Sequence, residues 1–572
     1  MPAGRPNRGP DHLSRAVEAL NEGRLLRAEG FVDRVLAREP EHAGALRLAG
    51  EIARRQGKYR KALDRFIDAA RGDPSDLATL EAVIAMAVAT DRLDLATQAL
   101  ELAVIAKPSD GSRHARLGAA YRMWSKFDEA LGHLRLATTL NPDDPYAWEA
   151  MSAVHLSRDE PAAALHAAEQ ALTLTPDRVV AMLLAATAHE KLGDAVAAQQ
   201  LRERALEVAP DDPDVAYDTV DLRPGQPDDP RFPGLGLAVE DAARPVQSRV
   251  RGMLALAKLH DDADQLELAV RFLRQGNDLW ADTLRRQGRG YDPRVIERRL
   301  ALFEGLIAGG LQGLVAPSQL PVPVIVGGLP RSGKTLIERR LARRFGLPAV
   351  GERPVLEGSQ RHLTEQLRGR AGGLSDLEPA MIHAFREATC QDFLGDVVDA
   401  DPPAFVSAGG NLELQFHLAV LLHPGAVLIV CERDSRDLVL ANLLKLIPHT
   451  NAYSNRIDWL MHRIAARDRA AALWERLLPG QVRRVSYERL VQDEQSVLDE
   501  LAEVLPVDVV LRNPAPLEDG SASMEVRSPA SDPPADLPLH RQHLGMWRRW
   551  VPYLPELADL PATLGADRDH GT

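Results

Sequence analysis

Through the first 210 residues, apolar positions recur at helical spacing, in strings such as "GKYRKALDRF", "SKFDEALGHL" and "DEPAAALHAA". A longer ruler lies over that pattern. Prolines stand at Pro40, Pro74, Pro108, Pro142, Pro176 and Pro210, each 34 residues after the last, and Ala28, Ala62, Ala96, Ala130, Ala164 and Ala198 keep the same step. The two rulers predict a repeat array. Each unit is two amphipathic helices, a small residue lets the pair approach closely, and the proline ends the second helix. The array ends in "DLRPGQPDDPRFPGLGL", Asp221 to Leu237, whose prolines and glycines read as a linker that cannot continue a helix. Helical periodicity returns in "VRGMLALAKLHDDADQLELAVRFLRQGNDLWADTLRRQ". The domains expected are therefore a repeat array over 7–220, a linker over 221–238, a helical bridge over 239–313 and a further domain over 314–572.

The pattern changes near Pro321. "PVPVIVGG", Pro321 to Gly328, is a short run rich in valine, and the "TLIERRLARRF" that follows its glycine loop has helical spacing. A second buried strand is expected in "GAVLIVCERD", Gly425 to Asp434, and a third, short strand in "QVRRVSYERL", Gln481 to Leu490, each leading into a helix. Apolar strands alternating with helices imply an α/β domain whose parallel sheet carries helices on both faces, with ligands at the carboxyl ends of the strands. The fold class expected is an α solenoid followed by a P-loop-type α/β domain.

Composition narrows the chemistry. At 572 residues the chain is long enough for about three or four domains. A net charge of −13 argues against a general nucleic-acid binder, so any phosphate site is local. The two cysteines, Cys390 and Cys431, form no zinc spacing, and the 17 histidines lack accompanying ligands, so no metal is expected. The N-terminal stretch lacks the apolar run of a signal peptide and no segment would span a bilayer, which points to a cytoplasmic protein.

The strongest chemical signal is "GGLPRSGKTL", Gly327 to Leu336. A strand, a glycine loop and a helix in that order make an anion cradle, because backbone N–H groups and the helix dipole face the ligand. Gly328 to Thr335 satisfies G-x-x-x-x-G-K-T, so one reading is a kinase or NTPase in which Lys334 reaches the β and γ phosphates and Thr335 binds Mg²⁺. That reading needs a carboxylate at a neighbouring strand end. Glu432 and Asp434 are there, but Arg433 stands between them.

The rest of the chain offers a second reading. The 34-residue array resembles the tetratricopeptide repeat family, whose concave face implies a protein or peptide partner. Pro330-Arg331-Ser332-Gly333, "CERDSRDL", "SYERLV" at Ser486 to Val491 and "LGMWRRW" at Leu544 to Trp550 follow in the order seen in the sulfotransferase family. The whole chain is similar to the bacterial branch in which such repeats precede a domain like that of protein-tyrosine sulfotransferases. The resemblance implies transfer of a sulfuryl group from 3'-phosphoadenosine 5'-phosphosulfate to a hydroxyl of a protein, peptide or glycan. It places the 5' phosphosulfate on Arg331, Ser332, Gly333, Lys334 and Thr335, and the 3' phosphate on Arg433. The nucleotide is then closed over by "HRQHLGMW" with Arg541, Gly545 and Trp547, and Asn442 and Tyr487 complete the donor site. The base is Glu352, in the Gly351-Glu352 step of "AVGERPVLEG". Catalysis is assigned to Glu352, Lys334 and Arg331.

This chain also departs from the family. Lys334 stands where relatives have threonine, Ala441 replaces a serine next to Asn442, and "VSAGGNLEL", Val406 to Leu414, lacks the acid and the lysine of the corresponding family segment, leaving Ala408 within it. Either Lys334 replaces the missing lysine as a point charge, or the chain is a silent scaffold built on its repeats. Other features read as ordinary structure: Trp547 and Trp550 as core packing, Arg339 to Arg344 as the solvated face of the loop helix, and "ADPPAF", Ala400 to Phe405, as a loop.

Overall fold

The computed structural model describes residues 12–90, 92–124, 126–158, 160–242, 244–286, 289–308, 320–351, 355–356, 359, 379–394, 402–410, 412–446, 449–505 and 544–561. The chain divides into two compact units, Met1–Val208 and Ala209–Thr572.

In the first unit, twelve described helices from His12 to Val208 follow one another as hairpins. The alanine ruler is its seam: all six alanines are buried, none more than 4% exposed. A small side chain at these positions lets the paired helices approach closely. Pro74, Pro108, Pro142, Pro176 and Pro210 each stand two residues past a helix end, where a residue with no N–H cannot prolong the ladder. Asp76, Asp144 and, at the start of the second unit, Asp212 then cap the next helix by accepting its first backbone N–H groups.

The second unit corrects the linker expected at 221–238, because Arg231–Glu240 is a helix. Pro230 precedes its first turn and Pro233 lies within it, where the N–H has no intrahelical partner in any case. The bridge helices Val246–Asp262 and Leu266–Arg286 bury Leu254, Ala257, Val270 and Leu273 in one core with Leu438, Leu443, Leu460 and Trp550 of the α/β part. Among the described residues no helix is long and apolar enough to cross a membrane.

The sheet has four described parallel strands, β1 (Val322–Gly327), β2 (Ala404–Gly409), β3 (Val427–Glu432) and β4 (Val482–Ser486), in the order β2-β1-β3-β4. β1, β3 and β4 lie in the three runs that hydrophobicity marks. β2 corrects the sequence reading, which places a loop at "ADPPAF" and only a substrate segment at "VSAGGNLEL". Its single-methyl and glycine positions hide a strand whose six residues are all buried. Pro348–Gly351 runs beside its far edge, with Val350 N–H donating to Val406 O at 3.0 Å and Val406 N–H to Pro348 O at 2.9 Å.

Alternation in β1 serves two layers. Val324 and Val326 pack on Ile337 and Leu341 of the helix Lys334–Phe345, while Ile325 packs on Phe405, Phe416 and Trp474 on the other face. The arginines of that helix are not simply solvated: Arg340 pairs with Glu494 at 3.1 Å and Arg344 approaches Asp499 at 3.9 Å. All four strands end on the same side, where the glycine loop turns.

Candidate active site

The loop after β1 is built so that its carbonyls face inward. Lys334 Nζ donates to Leu329 O at 3.2 Å, Asn442 Nδ2 to Pro330 O at 2.9 Å, and Arg433 Nη1 to Arg331 O at 3.1 Å. Three consecutive carbonyls are thus each held by a different side chain. The first turn of the following helix, Lys334–Phe345, presents N–H groups that have no intrahelical acceptor. An anion is attracted to such a surface because the lone pairs that would repel it are engaged elsewhere.

Backbone conformation supports the same reading. Arg331 has φ +68°, a left-handed value that a side-chain-bearing residue adopts at a cost of roughly 1–3 kcal/mol, and Arg433 holds its carbonyl there. Gly333 has φ +98°, and a Cβ added to it would lie 2.7 Å from Cδ2 of Tyr487. That ring therefore closes directly onto the loop. The Arg433 guanidinium lies 4.8 Å from the centroid of the same ring. Lys334 and Arg433 are 6% and 7% exposed, and Ser332, at 1%, has an Oγ with no hydrogen-bond partner among the described residues. A buried hydroxyl left unmatched in a loop that also carries a buried lysine fits an anionic ligand.

Neither strand-end carboxylate is free to take a cation in the way a triphosphatase requires. Glu432 accepts from Arg484 at 2.7 Å, and Arg484 also donates to Glu475 at 2.6 Å. Asp434 caps the helix Ser435–Leu443 and takes two bonds from Arg436 at 2.8 and 2.6 Å. Burial pulls the Asp434 carboxyl upward, but the Arg436 bonds outweigh it and hold it below the usual carboxylate range. Cys431, one residue before Glu432, is pushed up to about 12 by burial and stays a neutral thiol. Lys334 is directed at the loop's own Leu329 carbonyl.

The C-terminal motif reaches this site through Asp437. Its buried carboxylate accepts the N–H of Gly545 at 2.6 Å and of Trp547 at 3.0 Å. Burial raises the Asp437 carboxyl above its ordinary value, with those two amides pulling against it. Arg436 then lies 3.9 Å from the centroid of the Trp547 ring. Trp550 is core, as the sequence suggests, whereas Trp547 is half-buried and stacked under an arginine.

Arg331, Ser332, Gly333, Lys334, Thr335, Arg433, Asn442 and Tyr487 thus come together, with Gly545 and Trp547 tied to the neighbouring helix. Asn442 is fully buried and braces the loop from behind. Glu352 and Arg541 lie outside the described residues, although Gly351, before Glu352, is placed at the carboxyl end of β2. Three carboxylates escaped sequence reasoning. Glu338 joins the loop helix to Gly351 and Ala408, and Asp437 holds the C-terminal motif. Glu413, within the segment read as having lost its acid, is fully buried in an ion pair with Arg463. A Cβ on Gly327 would lie 3.1 Å from Glu413 Oε2, so this pair sits beneath the start of the loop. A glutamate inside an apolar run, as in "NLELQF", is the signal that could have found it.

Known proteins resemble this chain in parts. Residues 323–510 match the model of the family described as "Sulfotransferase family". An uncharacterized protein of Aquifex aeolicus (strain VF5) is 24% identical over 367 residues, 61% of this chain. The chain spans 46% of that relative's length. Among solved structures, MamA is 22% identical over 30% of this chain and 93% of its own, with a TM-score of 0.28. YrrB, described as a TPR protein with an unusual peptide-binding site, is 18% identical over 32% of this chain and 93% of its own, with a TM-score of 0.27. A tetratricopeptide repeat protein from Parabacteroides merdae is 15% identical over 50% of this chain and 95% of its own, at 0.33.

Proposed function

We propose, from the sulfotransferase-family domain at residues 323–510, that this chain moves a sulfuryl group from 3'-phosphoadenosine 5'-phosphosulfate to a hydroxyl of a protein, peptide or glycan. The observation that carries the reading is the loop whose three carbonyls are held by Lys334, Asn442 and Arg433 at the N-terminus of the helix Lys334–Phe345.

The donor supplies an activated sulfur. Arg331, Ser332, Gly333, Lys334 and Thr335 hold its 5' end, Arg433 and Tyr487 face its 3' phosphate, and Gly545, Trp547 and Arg541 close over the nucleoside. The acceptor oxygen forms a bond to sulfur while the bond from sulfur to the 5' phosphate oxygen breaks, and the departing phosphate keeps that electron pair. Loop N–H groups and Lys334 stabilise this growing negative charge. The acceptor's proton passes to Glu352 as general base. The tetratricopeptide-type array recruits or orients the acceptor, or a partner that carries it.

Calorimetry of the full chain with 3'-phosphoadenosine 5'-phosphate, and separately with ATP and Mg²⁺, tests the reading. Binding of the 3'-phosphorylated nucleotide alone supports it. Binding of ATP alone returns the domain to the kinase or NTPase reading, and binding of neither leaves a scaffold.

A further inference from the structure

We propose that Glu338 is a positioning residue for the acceptor side of this site, a role that rests on the sulfotransferase reading above. Glu338 lies one turn after Lys334 on the loop helix and is 2% exposed. A carboxylate buried that deeply needs donors. Its Oε1 accepts the N–H of Gly351 at 3.0 Å and of Ala408 at 3.2 Å. One oxygen thereby joins the loop helix, the carboxyl end of β2 and the segment Pro348–Gly351 that runs beside β2.

The turn it clamps is fixed from the other side as well. Ser407 Oγ donates to Gly351 O at 3.2 Å, so both polar backbone atoms of Gly351 are held by buried side chains. Gly351 has φ +69°, a left-handed conformation that glycine adopts without strain. The next residue in sequence is Glu352, the base of the proposed reaction. The donor loop begins the helix on which Glu338 stands. Glu338 therefore ties the helix that begins at the donor loop to the end of β2 and to Gly351, the residue to which the proposed base is covalently joined.

Two readouts separate this role from a merely structural one. In Glu338→Ala, kcat falls by about 100-fold, the effect of a misplacement near 1 Å, while affinity for 3'-phosphoadenosine 5'-phosphate and the donor KM stay within about threefold, because the loop carbonyls keep their own braces. Glu338→Asp keeps the charge but is one methylene short of both amides, and follows the same pattern if the alanine variant fails to fold. Amide hydrogen exchange in the ligand-free protein provides the second readout. Exchange at Gly351 and Ala408 accelerates in either variant while Val324 and Val326 of β1 stay protected. Unchanged kcat in the folded variants, donor affinity lost in step with kcat, or unchanged exchange at Gly351 overturns the proposal. If the parent protein itself neither binds the nucleotide nor transfers sulfate, the sulfotransferase reading fails instead, and the exchange result still decides whether Glu338 holds the turn.

Discussion

Replacing Glu413 with alanine puts a magnitude on the support beneath the glycine loop. Glu413 and Arg463 are both fully buried and paired, and Trp474 Nε1 donates to Glu413 O at 2.8 Å. Removing the carboxylate leaves a guanidinium in the core without its anion, which costs about 3–5 kcal/mol. Against the ~5–15 kcal/mol that holds a typical domain together, this is a large share. The pair as a whole is worth less than either half, since a buried ion pair exchanged for apolar residues of similar volume is near neutral. Glu413→Leu combined with Arg463→Met is therefore expected to recover about 2 kcal/mol or more of the single-variant loss. Equilibrium urea unfolding followed by tryptophan fluorescence measures the parent, Glu413→Ala, Glu413→Leu, Arg463→Met and the double variant, with Trp474 reporting on the affected core. A Glu413→Ala cost below about 1 kcal/mol, typical of a surface pair, or a double variant as unstable as the sum of its singles, refutes the reasoning.

Lys334→Ala removes both a buried cation and the brace on the Leu329 carbonyl, and is expected to lower sulfuryl transfer by about 100-fold or more with the fold retained; a radiolabelled-donor assay showing near-parental turnover would falsify it. Asp437→Asn leaves one of the Gly545 and Trp547 amides facing an NH₂ group, a cost of about 1–3 kcal/mol. Limited proteolysis within residues 544–561 should accelerate, and an unchanged cleavage rate counts against Asp437 as the tether. His417 is driven from 6.5 down to about 4 by burial, with Arg299 adding repulsion. Because the unfolded chain takes the proton first, this contribution is complete above pH 6.5 and is lost as pH falls toward 4, up to about 3 kcal/mol. Urea midpoints at pH 7 and pH 4.5 should diverge less in His417→Gln than in the parent, and equal divergence in the two proteins rules the assignment out.

The repeats, three strands and the loop are legible in the sequence because each rests on a local rule. A 34-residue ruler of small residues and prolines marks hairpins that contact only their neighbours. In β1 and β3 an apolar run marks a strand covered on both faces, in β4 a short valine-bearing segment leads into a helix, and glycines between a strand and a helix mark an anion cradle. β2 escaped because "AFVSAG" has too few large apolar residues to announce a strand, and its assignment depends on lying beside β1. The helix at Arg231–Glu240 escaped because prolines read as breakers are harmless in a first turn.

Which side chains serve the site is a different kind of question. Arg331, Gly333 and Lys334 announce themselves by their positions in the loop, and Arg433 by its place at a strand end. That Asn442, Lys334 and Arg433 would each hold one of three successive carbonyls is decided only when the strand ends converge. The buried carboxylates show the same limit. Glu338 finds its amides 13 and 70 residues away, Glu413 its arginine 50 residues away, and Asp437 its amides 108 and 110 residues away. Sequence determines where a charge stands along the chain; only tertiary packing supplies the partner that makes its burial tolerable, and here those partners shape the site.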